Sequence, residues 1–354
     1  MNPPSSRPSS ETPALGAPEA LTRARLRFMF AAVLSLLAVQ ACSTHELPPG
    51  GVAFGRVHRL GIVPWVMDAH QKKVVDAFLE ALAQAGYSSN TNLEVKILDA
   101  GGSVRAQEQN LRDLLLWPSD LIFSLSAEGT LMAKSQASAI PVVFSGISYP
   151  MEMGLVERLE FSSNQMVGIK CYVPVEEQLA FLLRLIPGEV RRLGVCLKAG
   201  DRDSKILLKE IRDLAVKQGM EVMRIEATDA TSLMRTLAEA GPPADAFYLA
   251  CDDFLQGEGA RLVIDHATRR GIPVMSCGQR AVERGALAGA VVDEEAAARM
   301  AAAQAAQILG GRTPTSLQTL TASPPKLMVN RSAARSLGLR IPPTFLGENV
   351  FIYE

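Results

Sequence analysis

The 354-residue chain is short of aromatics, with two Trp and five Tyr, and holds only four His. No HExxH, no GxSxG elbow and no Cys/His nucleophile pairing occurs, so the usual hydrolase and zinc-protease signatures are absent. The five cysteines form no CxxC pair, which leaves a structural zinc site without its ligand spacing. No charge of one sign dominates: 36 Lys and Arg face 37 Asp and Glu. No basic stripe interleaved with aromatics appears, so a nucleic-acid binder is not expected. "QGEGAR" (256–261) lacks the third glycine of a dinucleotide loop, and Asp252 and Asp253 ahead of it would repel phosphate. Asp201, Asp203, Asp252 and Asp253 lack the regular spacing of a calcium hand. His58, His70 and His266 read as surface or capping residues. No cofactor, metal or catalytic group is called for.

No apolar run is long enough for a transmembrane helix, which takes about 20 residues. The greasiest stretch, Phe28 to Ala41, follows Arg23, Arg25 and Arg27 and ends in small residues before Cys42. That layout is a secretory signal peptide. "VQAC" (39–42) resembles the lipobox of bacterial lipoproteins, with Gln40 standing where a small residue is preferred. The resemblance makes Cys42 the lipidated first mature residue, a hook to the membrane; an ordinary signal peptide or an uncleaved anchor is the alternative. Residues 1–41 are then a Pro/Ser-rich lead plus signal peptide, and 42–56 a tether. A disulfide among Cys171, Cys196, Cys251 and Cys277 is permitted outside the cytoplasm, but its connectivity cannot be read from sequence.

From Arg59 onward short apolar runs alternate with amphipathic ones. "RLGIVPW", "LEVKILDA", "DLIFSLS" and "IPVVFSGI" read as strands, and so do "RRLGVCL", "MEVMRIEA", "AFYLAC", "IPVMSC" and "LAGAVVD". Strands alternating with helices predict an α/β fold with parallel sheets covered on both faces. The rhythm breaks at "NQMVGIKCYVPVEEQ", dividing the chain into two doubly wound, Rossmann-like lobes joined by a hinge. Lobe one is expected over 57–172 plus about 294–313, and lobe two over 173–293 plus about 314–354. The long helix Glu294 to Leu309 is expected to cross back to lobe one. Such lobes hold ligands between them, outside the carboxyl ends of the strands.

The ordered series "FLEALAQAGY" (78–87), "DLIFSLS" (120–126), "IPVVFSGISYPMEMGLV" (140–156), "VPVEEQLAFLLRLIP" (173–187) and "RRLGVCLKAGDRDS" (191–204) carries a family resemblance. It continues through "IPVMSCGQRAVERGALAGAVVD" (272–293) and "MVNRSAARSLGLRIPPTFL" (328–346). The chain resembles the type I periplasmic binding proteins of ABC transporters, in the group with tryptophan- and tyrosine-type binders. The resemblance implies a monomeric receptor that captures a small solute and hands it to a permease and its ATPase. An envelope sensory lipoprotein signalling to a membrane kinase is the alternative use of the fold.

Strand ends supply the candidate ligand residues. Ser126, Gly129 and Thr130 open a helix, where free N–H groups favour a carboxylate; plain N-capping is the alternative. Asp252 matches the aspartate of the family's "TDN"-like turn, here "CDD" with Asp253 in place of Asn, and suits an ammonium group. Trp65 and Tyr149 are candidate aromatic walls. Ser148, Lys198 and Gln279 stand at further strand ends, and Asp293 matches a hinge-proximal aspartate of the family. Ala127 and Glu128, Tyr149, and Gln279 and Arg280 depart from the family pattern, so the aromatic amino-acid ligand does not carry over with the receptor role. The expected ligand is a small amino acid-like or amide-bearing solute, with its carboxylate near Ser126 and its amine near Asp252.

Overall fold

The computed structural model describes residues 55–241, 243–346 and 350–354; the leader and Cys42 lie outside them. The chain opens with β1 (His58–Val63), α1 (Ala69–Gln84), β2 (Leu93–Ile97), α2 (Val104–Leu116) and β3 (Leu121–Ser124), then α3 (Ala127–Gln136), β4 (Val142–Ile147) and β5 (Met166–Lys170). The strands of this half join one parallel sheet. The second half runs α4 (Val175–Leu185), β6 (Arg192–Lys198), α5 (Arg202–Lys217), β7 (Glu221–Ala227), α6 (Ala230–Glu239), β8 (Ala246–Leu249) and α7 (Glu258–Thr268). It continues through β9 (Val274–Ser276), α8 (Gln279–Glu283) and β10 (Ala288–Val291). Then follow α9 (Glu294–Leu309), β11 (Leu320–Thr321), β12 (Lys326–Asn330), α10 (Arg331–Ser336) and β13 (Val350–Tyr353).

Two sheets result, in the orders β11-β5-β4-β3-β1-β2 and β13-β12-β10-β9-β8-β6-β7. Among the described residues all pairings are parallel except β10 with β12. The chain therefore passes between sheets three times: after β5, after β10 and after β11. The last crossing differs from the sequence expectation, which assigned everything beyond about 313 to lobe two. Leu320–Thr321 instead extends the first sheet beside Ile169 and Lys170. A two-residue exposed strand carries no periodicity to announce itself.

Local chemistry explains why α9 lies on the first sheet. Asp293 caps it, accepting from the Ala296 N–H at 2.9 Å. Its buried face is Ala297, Ala298, Ala301, Ala302 and Ala305, small side chains that let it pack closely on α1. From α1 the opposing face is Val74, Val75, Phe78 and Leu82, and Phe78 stacks on Phe123 of β3 at 3.8 Å. Gly168 is required by an equally close approach: a Cβ there would lie 2.2 Å from the Phe144 carbonyl oxygen of β4.

Two histidines overturn their surface reading. His58 and His266 are buried, edge-on to Tyr87 at 5.3 Å and to Phe247 at 6.0 Å, and burial lowers both pKa values. An apolar neighbour across the fold, invisible in the local pattern, supplies each cover. Among the described residues no helix is long and apolar enough to cross a membrane.

Candidate functional site

The two sheets present their strand ends to one cleft with about 110 Å³ of room. That is several times the volume one buried water needs, about 15 Å³, and suits a small solute rather than a peptide. Four strand ends build it: Leu125 after β3, Ser148 and Tyr149 after β4, Cys251 to Asp253 after β8, and Cys277 to Gln279 after β9. The N-termini of α1 and α9 add His70, Gln71 and Glu294, and the first crossing adds Cys171, Tyr172 and Val173.

One wall is tyrosine. Tyr149, Tyr172 and Tyr248 all line the cleft, three of the chain's five. The first two meet edge to face at 5.5 Å, and both hydroxyls donate to Glu210 Oε2, at 2.7 and 3.3 Å. Tyr248 is fully buried; its hydroxyl donates to Gln178 Oε1 at 2.6 Å, and Gln178 in turn donates to the Val173 carbonyl at 2.8 Å. Burial, reinforced for Tyr149 by Glu210, pushes the Tyr149 and Tyr248 hydroxyls far up, so both remain neutral donors.

The opposite character is acidic. Leu125 to Glu128 of lobe one adjoin Lys198, Asp201, Asp203, Asp252 and Asp253 of lobe two in an annex of the cleft. Burial first, and then the Asp201 charge, lift the carboxyls of Glu128 and Asp203 to about 7. Asp253 is solvent-exposed, yet partial enclosure by the cleft walls still raises its carboxyl, opposed by Arg280 and Lys198. One oxygen of Asp203, Oδ1, is buried with no hydrogen-bond partner. Carboxylates crowded around one lysine favour an incoming cation.

Asp252 lies at the cleft but is already engaged. Its Oδ2 accepts from the Lys198 N–H at 3.0 Å and from Ser204 Oγ at 3.1 Å, while Oδ1 accepts from the Leu255 N–H at 2.8 Å. Burial raises its carboxyl to about 6, with the Leu255 and Lys198 N–H groups pulling the other way. It organises the loop, and Asp253 beside it faces the cavity. Ser126 is likewise spent as a cap, its Oγ accepting from the Gly129 N–H at 3.0 Å. The Thr130 hydroxyl lies 2.5 Å from the Ser126 carbonyl and 2.7 Å from Ser124 Oγ. The carboxyl at this helix terminus is the chain's own Glu128, in the first turn.

Trp65 is not among the cleft-lining residues: it is 6 % exposed, folded under the loop after β2, where its carbonyl accepts from the Gly102 N–H at 2.8 Å. Asp293 caps α9 and pairs with Lys326 Nζ at 2.5 Å, outside the main cleft. Ser148 donates from Oγ to the Cys171 carbonyl at 3.0 Å, and Gln279 Nε2 donates to Glu283 at 2.7 Å; both line the cleft.

Several lining groups named in the sequence stand outside the candidate ligand set drawn from it. Arg280 of lobe two pairs with Asp68, the N-cap of α1 in lobe one. His70 Nε2 lies 3.1 Å from Glu294 Oε2, and that hydrogen bond raises the His70 pKa despite burial. Cys251 and Cys277 form a disulfide. The register of β8 on β9, Leu249 opposite Ser276, places the two side by side. Among the described residues no group of three His, Cys, Asp or Glu is placed to hold a metal.

Residues 60–350 match the family model described as "ABC transporter substrate binding protein". The chain belongs to this family. A curated relative, the "Tyrosine-binding protein" of Clostridioides difficile (strain R20291), is 22% identical over 281 residues, covering 79% of this chain and 81% of the relative. Among solved structures, an ABC domain in complex with L-Trp from Streptococcus pneumonia superposes with a TM-score of 0.79 at 20% identity, covering 84% of this chain and all of that one (100%). A ligand-free, open substrate binding protein with adhesive properties from Clostridium difficile gives 0.67 at 23% identity, over 84% of this chain and 99% of that one. These superpositions show the fold of the ABC substrate-binding family, two doubly wound lobes around a cleft.

Proposed function

We propose that the chain is the extracytoplasmic receptor of an ABC importer, anchored through lipid on Cys42, which encloses a small amino acid-like solute between its lobes. It delivers that solute, as a monomer, to a permease and its ATPase. The observation that carries the ligand class is the composition of the cleft: tyrosine faces from Tyr149 and Tyr172, with an exposed carboxyl from Asp253 and a buried, unpartnered carboxyl oxygen from Asp203. The rings offer an apolar face to a side chain. The carboxyls offer charge-assisted hydrogen bonds to an ammonium group. With Asp252 and Ser126 engaged within the protein, the amine goes to Asp253 and Asp203, and the carboxylate to Arg280. Arg280 donates one N–H to Asp68 and has further donors in its fork. The tyrosine and L-Trp named for two relatives are amino acids of this class.

A thermal-shift panel of amino acids against their des-amino acids tests the reading. A binder at 100 times its dissociation constant adds about 2.7 kcal/mol of stability. Shifts by amino acids and not by their des-amino counterparts support the reading, and shifts by neither set sink it.

A further inference from the structure

The Cys251–Cys277 disulfide lies in the cleft wall itself, since both residues line the cavity. Each cysteine opens a loop that faces the ligand. Cys251 is followed directly by Asp252 and Asp253, and Cys277 by Gly278 and Gln279. The two loops are tight around one side chain, Gln256. Its Nε2 donates to the Ala250 carbonyl at 2.8 Å and to Ser276 Oγ at 3.1 Å. A Cβ on Gly278 would stand 1.9 Å from its Oε1. Cys251 is exposed and lines the cleft.

Resting on the ligand cleft described above, we infer that this disulfide is a positioning element of the binding site, which holds the Asp253 loop and the Gln279 loop at the spacing the solute requires. A dithiol reductant reaching the exposed Cys251 breaks the Cys251–Cys277 bond through a mixed disulfide. Two electrons and two protons pass to the cysteines, and the reductant closes to its own disulfide. The freed loops lose register and binding weakens. By linkage, a bound solute that prefers the bridged form protects the bridge by the same factor.

Two arms on the full-length chain test this against the Cys251→Ser/Cys277→Ser double variant, with dithiothreitol-reduced, alkylated protein as a second route should that variant not fold. The first is hydrogen exchange. Amides of 251–257 and 277–283 should exchange about tenfold faster or more once the bridge is gone, while 145–149 in lobe one keeps its rate. Uniform acceleration over both lobes, which a general loss of stability produces, overturns the inference, as does no acceleration. The second arm is calorimetric titration with L-tyrosine and L-tryptophan, well below the melting temperature. A binder of the bridged chain should lose about tenfold or more in affinity without the bridge. Equal affinity overturns the inference. Binding of neither to the bridged chain counts against the proposed ligand class, and the exchange arm then decides the positioning role alone.

Discussion

The Tyr149 hydroxyl donates to Glu210 Oε2 at 2.7 Å, and the two residues belong to different lobes. Tyr149 follows the fourth strand of the first sheet, whereas Glu210 lies on a helix between two strands of the second. This bond, with Arg280 to Asp68, ties the lobes across the mouth of the cleft.

Tyr149→Phe keeps the aromatic wall and removes the link. A hydrogen bond to a charged group contributes about 1.5–3 kcal/mol, and Tyr172 retains part of the Glu210 contact. The variant should be about 1–2 kcal/mol less stable by urea melt. It should also show a larger radius of gyration when ligand-free. An unchanged melt and radius would mean that Glu210 is served as well by water.

The acidic annex makes stability fall with rising pH. Glu128 and Asp203 ionise near 7 when folded, above their ordinary values of 4.5 and 3.8. The folded chain therefore binds more protons than the unfolded one between about 4 and 7. Stability is fully present below that window and is lost as pH rises through about 7. His70, raised by Glu294, acts in the same direction. The Tm should drop between pH 5 and 8 in a ligand-free sample, and Glu128→Gln should flatten the slope, recovering on the order of 1–2 kcal/mol at pH 8. A profile rising over that range would contradict the reading.

Gly168→Ala tests the packing beneath the first crossing. Its methyl group would meet the Phe144 carbonyl oxygen at 2.2 Å, a backbone atom that cannot rotate away. Overpacking of this kind destabilises by about 1–3 kcal/mol, and a clash with backbone belongs at the upper end. Chemical denaturation measures it.

Reducing the disulfide removes a crosslink spanning 26 residues. The chain-entropy model assigns a loop of that length about 3–4 kcal/mol. Because the loop closes within the second lobe, guanidinium melts with and without a dithiol should differ by that order in the second lobe's transition and leave the first lobe's midpoint in place.

The alternating sheets and their breaks are legible because strands buried on both faces need unbroken apolar runs, as "DLIFSLS" and "AFYLAC" show. The closing strands are not. Leu320–Thr321 is short and exposed, β13 is a half-covered edge strand, and β12 is buried over only its last three residues. Tyr149, Asp253 and Gln279, named as strand-end residues, line the cleft. Reading one residue too literally fails at Trp65, which the second strand's loop covers, and at Asp252, whose oxygens three internal donors claim. Tyr172 and Tyr248 enter the site from a crossing and from mid-strand, where local sequence reads as core. The bridge between Cys251 and Cys277 depends on which strands are neighbours, a fact of the sheet and not of spacing.

The most direct test is calorimetric titration of the full-length chain and of Asp253→Asn with the strongest amino-acid hit and its des-amino analogue. The analogue should bind the native chain at least about tenfold more weakly. Asp253→Asn should weaken the amino acid by a similar factor while leaving the analogue unchanged. Equal binding of amino acid and analogue, in both proteins, would contradict recognition of an ammonium group in this cleft.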